Sequence, residues 1–214
     1  MTSLRINEIF NSLQGESSTV GLPTTFVRLT GCPLRCGYCD TAYAFHQGQQ
    51  MQLDDIVQQV KQASARRVCV TGGEPLAQPA CLTLLTALCD AGLKVSLETS
   101  GAMDISAVDP RVKIVMDLKT PGSNECDRNL ESNIRCLRDK DEVKFVICDR
   151  RDYEWAKAKV DQYDLMNRAG EVLFSPSFGQ VDYEQLASWI LQDRLHVRMQ
   201  VQLHKIIWGE KPGH

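Results

Sequence analysis

No stretch of the 214-residue chain stays apolar for the roughly 20 residues that a membrane-spanning helix needs. The opening run Met1-Thr2-Ser3-Leu4-Arg5-Ile6-Asn7-Glu8 lacks the charged-then-apolar organisation of an export signal. Basic charge is also scarce. With 24 Lys and Arg against 27 Asp and Glu, the net charge is −3, and a nucleic-acid binder would need a basic face. The pairs Arg66-Arg67 and Arg150-Arg151 flank apolar runs and read as solvated ends of elements. No low-complexity tract or linker divides the chain, so residues 1–214 are expected to form one domain with its own core. Histidines number four, His46, His196, His204 and His214, without ligand spacing; they read as structural or solvated. Cysteine, by contrast, is plentiful. Nine of them, an odd number in a chain too large to need staples, point to a reducing, cytoplasmic setting.

Three of the nine fall in Cys32-Pro33-Leu34-Arg35-Cys36-Gly37-Tyr38-Cys39, spaced C-x3-C-x2-C. The next, Cys69, lies thirty residues on, inside the apolar run Val68-Cys69-Val70. A closed zinc site wants four ligands, commonly as two close pairs. Three clustered thiolates suit an iron–sulfur cluster with one iron left for a ligand that is not protein. Cys69, Cys81, Cys89, Cys136 and Cys148 are expected to pack in the core.

Around that loop, β-rich runs alternate with helical stripes. Residues 5–10, 25–29, 67–71, 93–98, 112–117, 142–148 and 172–175 read as strands, and 195–202 closes the pattern. Leu53, Ile56, Val57 and Val60 share one helix face, as do Cys81, Leu84, Leu85 and Leu88 in a helix ended by Gly92. Further helices are expected over 130–138, through Ala156, Val160 and Tyr163, and through Leu186, Trp189 and Ile190. This alternation implies βαβ units and a parallel sheet, open or curled toward a barrel, with chemistry at the carboxyl ends of the strands. The polar and glycine-rich motifs fall there: Cys32, Gly72-Gly73-Glu74, Thr99-Ser100-Gly101, Asp117-Leu118-Lys119 and Ser175-Pro176.

Thr71-Gly72-Gly73-Glu74-Pro75 sits between a strand and a helix, where two glycines let the backbone approach a ligand closely. With the cysteine loop, it resembles the radical S-adenosylmethionine enzymes. That likeness implies a [4Fe-4S] cluster on Cys32, Cys36 and Cys39. It also implies S-adenosylmethionine with its amino group at Gly73 and Glu74 and its adenine against Tyr38.

A narrower resemblance covers essentially the whole chain. Asn7-Glu8-Ile9-Phe10-Asn11-Ser12-Leu13-Gln14-Gly15-Glu16, Phe26-Val27-Arg28-Leu29-Thr30-Gly31-Cys32 and Cys39-Asp40-Thr41 resemble the 7-carboxy-7-deazaguanine synthases of the queuosine and deazapurine pathway. So do Glu98-Thr99-Ser100-Gly101, Glu142-Val143-Lys144 and Gln202-Leu203-His204-Lys205. The resemblance implies an α/β fold, an incomplete, modified (β/α) barrel of the radical S-adenosylmethionine type, paired as a homodimer. It implies a radical lyase that converts 6-carboxy-5,6,7,8-tetrahydropterin to 7-carboxy-7-deazaguanine with loss of ammonia. A donor such as flavodoxin or ferredoxin would supply one electron, a 5′-deoxyadenosyl radical would take the hydrogen beside the substrate carboxylate, and Mg²⁺ would help the ring contract. No nucleic acid and no membrane enters this scheme.

Position by position, the resemblance puts Leu13, Gln14, Gly15 and Glu16 at the pterin edge, Arg28 on the substrate carboxylate and Thr71 at a further substrate contact. It puts Thr41 on Mg²⁺, and Ser100, Asp117, Leu118, Lys119, Ser175 and Pro176 against S-adenosylmethionine. Two motifs depart from the family pattern: Asp117-Leu118-Lys119 stands where many members read Ser-Pro-Lys, and Ser175-Pro176 where many read Gln-Pro. The closing run Trp208-Gly209-Glu210-Lys211-Pro212-Gly213-His214 is a few residues longer than in many members. Two rivals remain from the residues alone: another radical enzyme acting on a protein, and a non-catalytic metal module built on the same three cysteines.

Overall fold

A computed structural model describes residues 2–209, 211 and 213. The strands are β1 (Ser3–Leu13), β2 (Pro23–Leu29), β3 (Gln49–Gln52), β4 (Arg67–Gly72), β5 (Lys94–Thr99), β6 (Lys113–Asp117), β7 (Glu142–Ile147), β8 (Glu171–Pro176) and β9 (Arg198–Met199). The helices are α1 (Leu53–Gln62), α2 (Ala80–Asp90), α3 (Arg150–Gln162), α4 (Leu165–Arg168), α5 (Tyr183–Gln192) and α6 (Leu203–Trp208). All strands join one sheet in the order β3-β1-β2-β4-β5-β6-β7-β8-β9. From β2 onward the pairing is parallel, while β1 runs antiparallel to β2 and β3. The end strands β3 and β9 do not meet, so the barrel is left open.

Strands covered on both faces read as continuous apolar runs. Val68, Cys69 and Val70 of β4 are fully buried, as are Val172, Leu173 and Phe174 of β8. Ile56 and Val60 of α1 join Leu84, Leu85 and Leu88 of α2 in that core. Helices link β4 to β5, β7 to β8 and β8 to β9, but the β5–β6 and β6–β7 links carry only turns and 3-10 segments. The helix expected over 130–138 is one of these, a 3-10 segment at Glu131–Cys136. Asn133 accounts for the difference. Its buried amide donates to the carbonyls of Gly101 and Met103 and accepts from the Ile105 amide, which pulls the segment inward as tight turns.

Other elements differ from the sequence pattern as well. Strand β3 is polar and carries no apolar signature; only Arg198–Met199 of the closing segment enters the ladder; α4 and α6 are short helices without a clear stripe. Cys69, Cys81 and Cys89 are buried as expected, whereas Cys136 and Cys148 are only partly covered, and of these two Cys136 packs against the core.

Asp152, fully buried in α3, ties this scaffold to the cysteine loop. Its carboxylate accepts from the Gly122 amide at 2.8 Å, the Cys148 amide at 3.0 Å and the Thr120 hydroxyl at 3.0 Å. The turn so held accepts from Gly37 through Ser123 O at 3.0 Å, and its Glu125 carboxylate accepts from the Arg35 amide. Asp152→Ala leaves the partly buried Gly122 and Cys148 amides without their acceptor, at about 1–3 kcal/mol each, while the Thr120 hydroxyl keeps the Val146 carbonyl at 2.9 Å. Thermal unfolding should therefore show a midpoint lower by about 10 °C, since about 1 kcal/mol shifts a domain of this size by 2–4 °C.

Candidate functional site

The parallel strands deliver their carboxyl ends to one cavity of about 370 Å³, a volume suited to small ligands. Alternation along each strand decides which side chains face it. Arg28 of β2 and Thr71 of β4 are register partners, as are Asp117 of β6 and Lys144 of β7, and all four line the cavity. Glu98 lines it from β5, and Val146 and Ser175 from β7 and β8.

Cys32, Cys36 and Cys39 form one wall. Their loop follows β2 and is seated by three bonds: Gly31 N to Ala44 O at 2.9 Å, Glu74 N to Gly31 O at 2.8 Å and Gly37 N to Ser123 O at 3.0 Å. Gly73 permits that seating, because a Cβ there would lie 2.3 Å from the Gly31 carbonyl oxygen and 2.7 Å from Cys32 Cβ. None of the other cysteines lines the cavity. Among the described residues, no three His, Cys, Asp or Glu side chains converge as a single metal ion requires. Three soft thiols spread along one wall fit a multi-iron cluster better than a mononuclear site. Burial pushes the Cys36 thiol up to about 11 and raises that of Cys32 as well, so loading a cluster would release protons.

Tyr38 OH, Asp117 Oδ1 and Ser175 Oγ are buried without a partner among the described residues. All three residues line the cavity. Unpaired buried polar atoms are costly, so together they mark a place for a ligand rich in hydroxyl and amino groups. Lys119 lies 5.7 Å above the Tyr38 ring and pairs with Asp117 at 2.9 Å. Burial opposes the charge on Asp117, yet Lys119 and Lys144 hold its carboxyl below the usual range. Burial likewise opposes the charge on Lys144, and Glu16 with Asp117 raises its pKa above the ordinary value.

Ser100 and Pro176 also line the cavity. Glu74 and Leu118 do not. The Glu74 carboxylate is fully buried and already accepts from the Leu76 amide, the Thr99 hydroxyl and both the amide and hydroxyl of Ser100. In this arrangement its lone pairs brace the end of β5. Leu118 follows Asp117, and alternation turns its side chain into the core.

Leu13, Gln14, Gly15 and Glu16 line the cavity as well. Gln14 Nε2 donates to Glu98 Oε1 at 3.3 Å and Thr71 Oγ1 donates to Glu98 Oε2 at 3.0 Å. Glu16 pairs with Lys144 at 2.5 Å and accepts from Gln202. Arg28 pairs with Glu8 at 2.7 Å through Nε. Thr41 occupies the cap position of the 3-10 turn Ala42–Phe45 but makes no capping bond; its hydroxyl donates to Asp40 at 2.9 Å. Lys205 in turn pairs with Asp40 at 3.2 Å.

Glu98, Lys144, Gln202 and Lys205 stand in motifs of the resemblance but carry no site role from sequence, and His204 reads from sequence as structural or solvated. His204 lines the cavity, so close to Gly15 that a Cβ on that glycine would meet its Nδ1 at 2.0 Å. Leu203 N donates to Gly15 O at 3.0 Å, which straps α6 across the site. His214, with Glu210 and Pro212 of the closing run, lies outside the described residues.

Residues 26–128 match the model of the Radical SAM superfamily. A 7-carboxy-7-deazaguanine synthase of Chlorobaculum tepidum is 45% identical over 96% of this chain and 94% of its own length. One from Koribacter versatilis is 42% identical over 96% of this chain and 97% of its own. The crystal structure of QueE from Escherichia coli superposes with a TM-score of 0.78 at 22% identity, covering 94% of both chains.

Proposed function

The chain belongs to the 7-carboxy-7-deazaguanine synthases, radical S-adenosylmethionine enzymes of deazapurine biosynthesis, and on that premise we propose how its own residues divide the work. The substrate is 6-carboxy-5,6,7,8-tetrahydropterin, the product 7-carboxy-7-deazaguanine, and ammonia leaves. One observation carries the assignment of residues. A single cavity is lined both by the three thiols and by Gln14, Glu98, Thr71 and Arg28.

Cys32, Cys36 and Cys39 hold the [4Fe-4S] cluster. When bound, the cluster and S-adenosylmethionine supply the 5′-deoxyadenosyl radical. Tyr38, Asp117 Oδ1 and Ser175 Oγ, the unpartnered polar atoms, take the cofactor's hydroxyl and amino groups, with Gly73, Ser100, Lys119 and Pro176 around them. The pterin edge carries adjacent N–H donors, for which a carboxylate is the complement. Of the four carboxylates lining the cavity, Glu16, Asp40 and Asp117 have ion-pair partners. Glu98 has none within 4 Å among the described residues, and its hydrogen bonds come from neutral Gln14 and Thr71. Its remaining lone pairs are therefore the acceptors for the pterin edge, flanked by Leu13, Gln14, Gly15 and Glu16. Arg28 offers its Nη end to the 6-carboxylate.

Thr41 and Asp40 supply hard oxygen donors for Mg²⁺, which keeps waters and takes substrate oxygens readily. An external one-electron donor of the flavodoxin or ferredoxin type and pairing into a homodimer complete the reading. The cysteines are all free, which suits a cytoplasmic setting. No helix among the described residues is long and apolar enough to cross a membrane.

Anaerobic turnover of 6-carboxytetrahydropterin by reconstituted protein tests the reading directly, since a protein-activating enzyme would make no deazaguanine. Within that assay Mg²⁺ should raise the rate several-fold, and Thr41→Ala should raise the half-saturating Mg²⁺ concentration about tenfold with cluster content unchanged. Identical magnesium titrations for variant and parent would reduce Thr41 to a partner of Asp40.

A further inference from the structure

Arg28 reaches the cavity from a cage of groups, two of which lie behind the wall. Its Nε donates to Glu8 Oε1 at 2.7 Å, and the same oxygen accepts from the Tyr43 hydroxyl at 2.8 Å. The guanidinium carbon lies 5.6 Å from the centroid of the Phe10 ring and 5.8 Å from that of Tyr43. Phe10 and Arg28 line the cavity; Glu8 and Tyr43 do not. The cage is written into the sheet. Glu8 of β1 stands directly across from Arg28 of β2, immediately after a register shift between Ile6 and Glu8. A bulge of this kind re-aims the side chains that follow it.

We propose that Glu8, seconded by Tyr43, is a positioning residue that aims the guanidinium of Arg28 at the substrate carboxylate. The proposal rests on the reading of Arg28 as the carboxylate's partner. With Nε taken and the rings at hand, the Nη1–Nη2 end is the part of the fork left to meet a ligand, and it makes no hydrogen bond to a described residue. An arginine without such supports spreads over many rotamers and must be ordered at the moment of binding.

Two effects of Glu8 oppose each other, and their signs separate the proposal from simple electrostatics. Its negative charge subtracts from the attraction of Arg28 for an anionic substrate, so a purely coulombic role makes Glu8→Ala bind more tightly. Aiming the fork works the other way, because a misplaced donor pair loses most of its contribution. The aiming effect is the larger one here, since Glu8 bonds the guanidinium directly while the substrate carboxylate lies beyond it.

The test is equilibrium binding by cluster-loaded full-length protein, with S-adenosylmethionine present and no reductant, so that no turnover intervenes. The probes are 6-carboxytetrahydropterin and a tetrahydropterin without the carboxylate. Glu8→Ala should weaken the carboxylated ligand about tenfold and leave the other nearly unchanged. Glu8→Gln, which keeps an acceptor for Nε, should recover part of the loss, and Tyr43→Phe should cost a few-fold in the same direction. Those two variants carry the test if Glu8→Ala does not fold. In the double variant Glu8→Ala/Arg28→Ala, binding should match Arg28→Ala alone within about twofold, as for residues acting through one another. Tighter binding in Glu8→Ala, an equal loss for both ligands, or additive losses in the double variant would each overturn the role of Glu8. If Arg28→Ala itself left carboxylate discrimination intact, the reading of Arg28 would fail and this proposal with it.

Discussion

Cys36→Ala protein, reconstituted anaerobically, should hold no stable [4Fe-4S] cluster and cleave no S-adenosylmethionine. The expectation follows from the ligand set, which has no reserve. Cys32, Cys36 and Cys39 line one wall, and no other cysteine reaches the cavity to substitute. A cluster already open at one iron loses a second protein anchor when any of the three is removed. Cys69→Ala is the matched control. Its thiol is fully buried in β4, behind Glu98 and Gln14 and without lining the cavity itself, so truncation should cost about 1 kcal/mol of stability while iron and sulfide content stay at the parent level. Iron and sulfide analysis with reductive cleavage assays would decide the matter, and parent-like iron content in Cys36→Ala would remove the cluster from these residues.

The parts of the site that local pattern could reveal are those that turn chemistry imposes. The C-x3-C-x2-C loop and the Gly72-Gly73 turn stand out because thiolate spacing and close backbone approach leave few alternatives; Gly73 indeed faces the Gly31 carbonyl where no Cβ fits. The strand ends could be found from apolar runs such as Val68-Cys69-Val70, because buried parallel strands show themselves in sequence. Other features depend on how the sheet closes. Alternation of Val95 and Leu97 with Ser96 and Glu98 separates two faces of β5, but which face meets a cavity is set by the curvature of the whole sheet. Lys144 was hidden in the same way. His204 and Lys205 enter through the contact of Leu203 with Gly15, a long-range bond with no local signature. The segment at 130–138 shows the converse, a helical stripe overridden by the tertiary bonds of Asn133. The bonds from Thr99, Ser100 and Leu76 to the Glu74 carboxylate likewise have no local signature, apart from that of Leu76 two residues on.

Glu98→Gln should raise the Michaelis constant for 6-carboxytetrahydropterin about 100-fold while uncoupled cleavage of S-adenosylmethionine persists. Glu98 is the cavity carboxylate without an ion-pair partner among the described residues, and its fixed bonds from Gln14 and Thr71 point one oxygen toward each. A hydrogen bond to a charged acceptor contributes about 1.5–3 kcal/mol, equivalent to about 10- to 150-fold in binding. The amide substitution does more than remove charge. It replaces one acceptor oxygen by an NH₂ group, which would face a substrate donor with another donor. Either the substrate or one of Gln14 and Thr71 is then left without its partner. A pterin lacking the 2-amino group should bind the parent protein poorly, and the variant should discriminate little between the two ligands. The thermal midpoint should move by only a few degrees, because the lost charge had no ion pair to break. Cofactor cleavage survives because the groups that would meet S-adenosylmethionine, Tyr38, Asp117 and Ser175, are cavity residues that make no hydrogen bond to Glu98. A parent-like Michaelis constant in Glu98→Gln, or undiminished discrimination at the 2-amino position, would move pterin recognition elsewhere in the cavity.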